Sequence, residues 1–146
     1  MPILLIEDDP LWENAIVEEL EEAGYQVEVA DTFEKARTML NLGGEQTECE
    51  QSEFDLLIVD IRLPADHEGL KILEELQTRQ GEAGISVEEQ PRVIISSVLN
   101  HVAVSDWEDR ARSDMFLVKP YDLSALVKGV RSLLEPRTDG DSSNEN

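Results

Sequence analysis

"DLLIVD", Asp55 to Asp60, is a run of four apolar residues closed at each end by a carboxylate. No polar residue marks either face of Leu56 to Val59 for water. A strand of this kind belongs inside a parallel sheet that is covered on both sides. Four further runs extend the pattern outward: "ILLI" (Ile3–Ile6), "RVIIS" (Arg92–Ser96), "MFLV" (Met115–Val118) and "QVEVA" (Gln26–Ala30). The last alternates polar and apolar residues and reads as an edge strand.

Longer amphipathic stretches lie between them. The first helix is expected from Pro10, suited to an N-terminal turn, to Ala23, where Gly24 supplies a stop. The last is the clearest, with Leu123, Val127, Val130 and Leu134 on one stripe and Asp122 as the N-cap residue. Weaker helices are expected at Thr32–Leu42, Gly69–Arg79 and Ala103–Ser113. Strands alternating with helices predict the α/β class, a doubly wound five-stranded parallel sheet flanked by five helices. "NLGGEQTECEQSE" (Asn41–Glu53) and "QGEAGISVEEQ" (Gln80–Gln90) are Gly-, Glu- and Gln-rich and read as long surface loops. The polar tail Pro136–Asn146 reads as disordered, which leaves one domain over residues 1–135.

Composition sets limits on partners. The 146 residues carry a formal net charge of −21, which repels phosphate backbones and anionic membranes, so neither nucleic acid nor membrane is expected as a direct partner. The single cysteine, Cys49, excludes an internal disulfide. The N-terminal stretch has neither the basic flank nor the apolar length of a signal peptide or membrane span, and a cytoplasmic protein is expected.

Chemistry is expected at the carboxyl ends of the strands, where an open parallel sheet gathers its ligands. The first strand ends in Glu7, Asp8 and Asp9, and the third in Asp60. The fourth ends in Ser96 and Ser97, and the fifth in Lys119 and Pro120. Clustered carboxylates need a counter-charge, and hard oxygen donors suit Mg²⁺. A hydroxyl and a lysine beside them suit the oxygens of a transferring phosphoryl group.

At these residues the chain resembles the receiver domains of two-component response regulators, over roughly Pro2 to Glu135. The resemblance is carried by "LLIEDDP", "DLLIVDIRLP", "VIISSV" and "FLVKPYDLSALVKGVRSLL". It implies the flavodoxin-like strand order 2-1-3-4-5 and phosphorylation of Asp60 by a histidine kinase or histidine phosphotransfer protein. It further implies a Mg²⁺ site made by Asp8, Asp60 and the Arg62 carbonyl, with Glu7 acting through water. Lys119 is implied to contact the phosphoryl group or the acceptor carboxylate, with Pro120 holding its loop. The family's usual spacing selects Ser97, 22 residues before Lys119, as the switch hydroxyl, with Phe116 as the ring that follows it. A downstream protein would be met on the face made by the fourth helix, fifth strand and fifth helix.

There are departures from the family pattern. The intervals from Asp8 to Asp60, 52 residues, and from Asp60 to Ser97, 37, are longer than usual, and the two long loops account for both. "PADHEGL" also carries an apparent insertion near Arg62 to Gly69. Arg62 and Leu99, two residues beyond Asp60 and Ser97, are expected to flank the path of attacking water and to slow self-dephosphorylation.

Taken singly, these residues have plainer readings. Asp60 alone suits a helix cap, Ser97 a turn, and three acids in a row a solvated loop. Four such residues at the rims of successive strands are not explained that way. His67, His101 and Cys49 read as surface residues, and Trp12 and Trp107 as half-buried helix residues. A phosphatase on a related sheet would want a second aspartate where Arg62 stands. A pseudo-receiver, binding without phosphorylation, would be expected to lack Asp8, Asp60 or Lys119. With no further folded segment expected after Glu135, output would come from docking of the receiver itself or from onward phosphotransfer.

Overall fold

The computed structural model describes residues 2–7, 9–40, 54–61, 68–86, 89–97, 113–119 and 122–134. Its strands are β1 (Pro2–Ile6), β2 (Gln26–Ala30), β3 (Leu56–Ile61), β4 (Arg92–Ser97) and β5 (Met115–Val118). All pair in parallel, in the order β2-β1-β3-β4-β5. Its helices are α1 (Pro10–Glu22), α2 (Phe33–Met39), α3 (Glu68–Glu82) and α4 (Leu123–Leu134). Of the helix expected at Ala103–Ser113, residues 103–112 lie outside the described residues, as do Pro136–Asn146, and Ser113 is not helical, so the helix after β5 is α4 here.

The apolar runs behave as their composition demands. Leu56, Leu57, Ile58 and Val59 are fully buried, and alternate residues face opposite layers. Leu57 and Val59 join Ile72, Leu73 and Leu76 of α3 and Ala36 of α2. Leu56 and Ile58 join Ile16 and Leu20 of α1 and Leu126 and Val130 of α4. Each such Leu or Ile contributes about 1.5–3 kcal/mol by leaving water. On β2, Gln26 and Glu28 are exposed while Val27 and Val29 are half-buried, the signature of an edge strand.

Two helices end on glycine in the left-handed region. Gly24 (φ 99°) closes α1, with the Tyr25 N–H donating to the Leu20 carbonyl at 3.0 Å. Gly84 (φ 81°) closes α3 in the same way, with the Ile85 N–H donating to the Gln80 carbonyl at 2.9 Å. This moves a boundary: Gln80–Glu82, expected in a loop, are the last turn of α3. At the other end of the chain's first helix, Asp9 is the N-cap residue of α1. Its Oδ1 accepts from the Leu11 N–H at 3.0 Å, and Pro10 follows as the first helical residue.

Gln80 is fully buried, and neither atom of its side-chain amide has a hydrogen-bond partner among the described residues. An amide in that state carries its desolvation cost uncompensated. Gln80→Met keeps length and helix propensity while removing both polar atoms, and should stabilise the fold by about 1–2 kcal/mol. Urea denaturation reads this as a raised midpoint at unchanged slope. A lowered midpoint would mean that the amide is satisfied.

Candidate functional site

Three strand ends supply the site. β1 delivers Glu7, whose backbone N–H still pairs with the Ala30 carbonyl at 3.2 Å, so the side chain leaves the sheet from an ordered rim. β3 delivers Asp60, and Lys119 directly follows β5. The Lys119 Nζ donates to Glu7 Oε1 at 2.9 Å and to Asp60 Oδ1 at 3.0 Å. Glu7 and Asp60 are only 2% and 5% exposed, so both charges sit largely out of water. The second Glu7 oxygen accepts the Asp9 N–H at 3.2 Å, which ties the carboxylate to the turn that starts α1.

Electrostatics follows from this packing. Burial pushes the Glu7 carboxyl above its ordinary range. The Asp60 charge adds to the rise, and the bond and charge of Lys119 oppose it. For Lys119, burial alone would lower the ammonium's pKa, but the hydrogen bonds to Glu7 and Asp60 and their charges outweigh it, and the net direction is up. The lysine is held charged between two carboxylates, which exceed it by one negative charge.

The register brings the remaining strand ends alongside. Asp60 is aligned with Ser96, Ile61 with Ser97, and Ser97 in turn with Val118, next to Lys119. Ser96 is buried. Phe116 is half-buried and packs against the layer that holds α2 and α3. Of the residues singled out in the sequence, Glu7, Asp60 and Lys119 therefore meet directly. Phe116 and the backbone of Ser97 lie on the adjoining strands. Asp8, Arg62 and Pro120 lie outside the described residues, as do His67, His101, Leu99, Cys49 and Trp107.

Three features were not anticipated. Glu7 bonds Lys119 directly, where the resemblance implied a role through water at the metal. Asp9 caps α1, a role that the Asp-Pro pair at a helix start signals. Trp12, expected to be a half-buried helix residue, is one, and its ring also faces Lys119, with Nζ 5.0 Å from the ring centroid.

The donor set suits a hard divalent cation, since two buried carboxylate groups converge with more negative charge than the one lysine balances. No group of three or more His, Cys, Asp or Glu side chains placed to hold a metal ion occurs among the described residues, which exclude Asp8. No helix among them is long and apolar enough to cross a membrane.

Known proteins resemble this chain in sequence or in fold. The transcriptional activator protein IrlR of Burkholderia pseudomallei is 33% identical over 139 residues, which cover 92% of this chain and 50% of IrlR. The transcriptional regulatory protein HprR of Escherichia coli is 32% identical over 139 residues, covering 92% of this chain and 52% of HprR. The chain thus spans about half the length of these curated relatives. Among solved structures, the chemotaxis protein CheY4 of Vibrio cholerae matches with a TM-score of 0.69 at 18% identity, over 91% of this chain and 98% of that one. The response regulator protein TrrA of Thermotoga maritima matches at 0.66 and 24% identity, again over 91% and 98%. At those identities the two structures speak for the fold. Residues 3–131 match the family model of the response regulator receiver domain, and with the 2-1-3-4-5 sheet and the Glu7–Lys119–Asp60 cluster at its carboxyl edge, the chain belongs to that family.

Proposed function

We propose that the domain accepts a phosphoryl group on Asp60 from a phosphohistidine of a histidine kinase or histidine phosphotransfer protein. The observation that carries this reading is the buried Asp60 carboxylate, hydrogen-bonded through Oδ1 to Lys119 at the carboxyl edge of a parallel sheet. An Asp60 carboxylate oxygen forms the new bond to phosphorus as the phosphorus–nitrogen bond breaks, and the electron pair leaves on the imidazole nitrogen. Asp8, Asp60 and the Arg62 carbonyl would hold Mg²⁺, with Glu7 acting through water. When bound, the ion neutralises charge on the phosphoryl oxygens. TrrA, a fold relative, is known in a complex with Mg²⁺-BeF, which agrees with the donor set here.

The chain's own groups have separable tasks. Lys119 orients the Asp60 carboxylate through its hydrogen bond, and it can turn its N–H groups from the carboxylates to the phosphoryl oxygens as charge grows there. Ser97 donates to a phosphoryl oxygen, and Phe116 follows the hydroxyl inward. That movement biases the face that β5 and α4 present, where a downstream protein docks. IrlR and HprR are transcriptional regulators, but this chain's charge of −21 opposes contact with a phosphate backbone, so we assign it a protein partner.

Incubation with acetyl phosphate and Mg²⁺ tests the reading. The wild type should gain one phosphoryl group on a phosphate-affinity gel, and Asp60→Asn should lose at least about a hundredfold in rate, as expected when the nucleophile is removed. Equal labelling of the two would overturn it.

A further inference from the structure

Lys119 is enclosed on a third side by an element that the phosphoryl chemistry does not itself require. Trp12 stands in the first turn of α1, pinned there by the Asp9 cap and by Pro10, and its ring faces the ammonium at 5.0 Å from the centroid. The Lys119 side chain is 7% exposed. Two of the ammonium's directions are taken by Glu7 and Asp60, and the indole covers another.

We propose that Trp12 is a positioning residue for Lys119 in phosphoryl transfer to Asp60, holding the desolvated ammonium beside the acceptor carboxylate by the face of its ring. This inference rests on the reading of Asp60 as phosphoacceptor. The physical case turns on what an aromatic face does that another polar group cannot. It attracts a cation without adding formal negative charge to a site that already carries an excess, and without a directional bond that must break when the ammonium turns toward phosphoryl oxygens. It also keeps water from competing for the same N–H groups. A carboxylate at this position would deepen the charge imbalance, and an aliphatic side chain would exclude water but offer no attraction.

The test uses the full chain with Trp107→Phe, so that Trp12 is the remaining indole. In the metal-free protein, Lys119→Met should shift the Trp12 emission maximum or intensity, because the cation leaves the ring. An unchanged spectrum would overturn the contact. With acetyl phosphate and Mg²⁺, Trp12→Leu should be phosphorylated about tenfold more slowly, equivalent to about 1.4 kcal/mol of barrier. Trp12→Phe, which keeps a ring face, should recover most of that loss. A purely structural role predicts the opposite pattern, with rates following the thermal midpoints of the variants whether or not a ring is kept, and that result would overturn the proposal. Should Trp12→Leu fail to fold, the Phe variant and the emission shift on Lys119→Met still decide it. Failure of the underlying reading is distinct, since the wild type itself would then take no label on Asp60. If the wild type is labelled on Asp60 and Trp12→Leu reacts at the same rate, Trp12 alone is excluded.

Discussion

With acetyl phosphate as donor, removal of Mg²⁺ by a chelator should slow phosphorylation of Asp60 about a thousandfold, the larger of two effects that follow from the charge count at the strand edge. Among the described residues, Lys119 is one positive charge bonded to two buried carboxylates, Glu7 and Asp60, and Asp8 adds a further acid at the same strand end. An approaching phosphoryl group adds further negative charge. One unit charge about 4 Å from another, at an effective dielectric constant near 20, interacts by about 4 kcal/mol, or about three factors of ten in rate. Rates measured on phosphate-affinity gels with saturating Mg²⁺ and with excess chelator check this. Equal rates would mean that the protein's own cations suffice to neutralise the donor.

The second large effect concerns stability without any ligand. Lys119→Met takes from the buried Glu7 and Asp60 the cation that both bond, and should destabilise the fold by about 3 kcal/mol at neutral pH. The pH dependence has a definite sign. Burial raises the Glu7 pKa in the folded state, so the stability linked to Glu7 is fully present below its unfolded pKa and is lost as pH rises through the raised value. Removing Lys119 takes away the groups that held that value down. The penalty of Lys119→Met should therefore shrink in mildly acid solution, as the Glu7 carboxyl takes a proton. Lys119 also has a raised folded pKa, so its contribution in the wild type is present below its unfolded pKa and lost only at strongly alkaline pH. Urea denaturation of both proteins across that range checks the account, and the pair Lys119→Met with Glu7→Gln should recover part of the loss. A penalty independent of pH would assign the effect to packing.

The sheet was legible because its strands are written as uninterrupted apolar runs. Leu56–Val59 and Ile3–Ile6 admit no solvated face, and the exposed Gln26 and Glu28 mark β2 as an edge. Asp60 and Lys119 were legible for a related reason, since a parallel sheet delivers the residues at its strand ends to one rim whatever the loops do. The end of α3 was harder to read. Gln80, Gly81 and Glu82 look like loop residues by composition, and the stop is set instead by Gly84, whose positive φ only the folded backbone reveals. A lysine contact to the acceptor carboxylate was implied by the resemblance, but its second bond, to Glu7, was not readable. Glu7 also lies within reach of Nζ, and that bond depends on side-chain geometry across strands far apart in sequence. Trp12 was hidden for the same reason. Its helical periodicity describes a packing residue, while its contact with Lys119 is made across the fold.

The central claim is that Asp60 is the group phosphorylated. The most direct measurement is peptide mapping by mass spectrometry after borohydride trapping of the acyl phosphate formed with acetyl phosphate and Mg²⁺. A single reduced site at Asp60, absent from Asp60→Asn, is the predicted result. Label on Glu7, Asp8, His67 or His101, or no label at all in a folded, Mg²⁺-saturated protein, would contradict it.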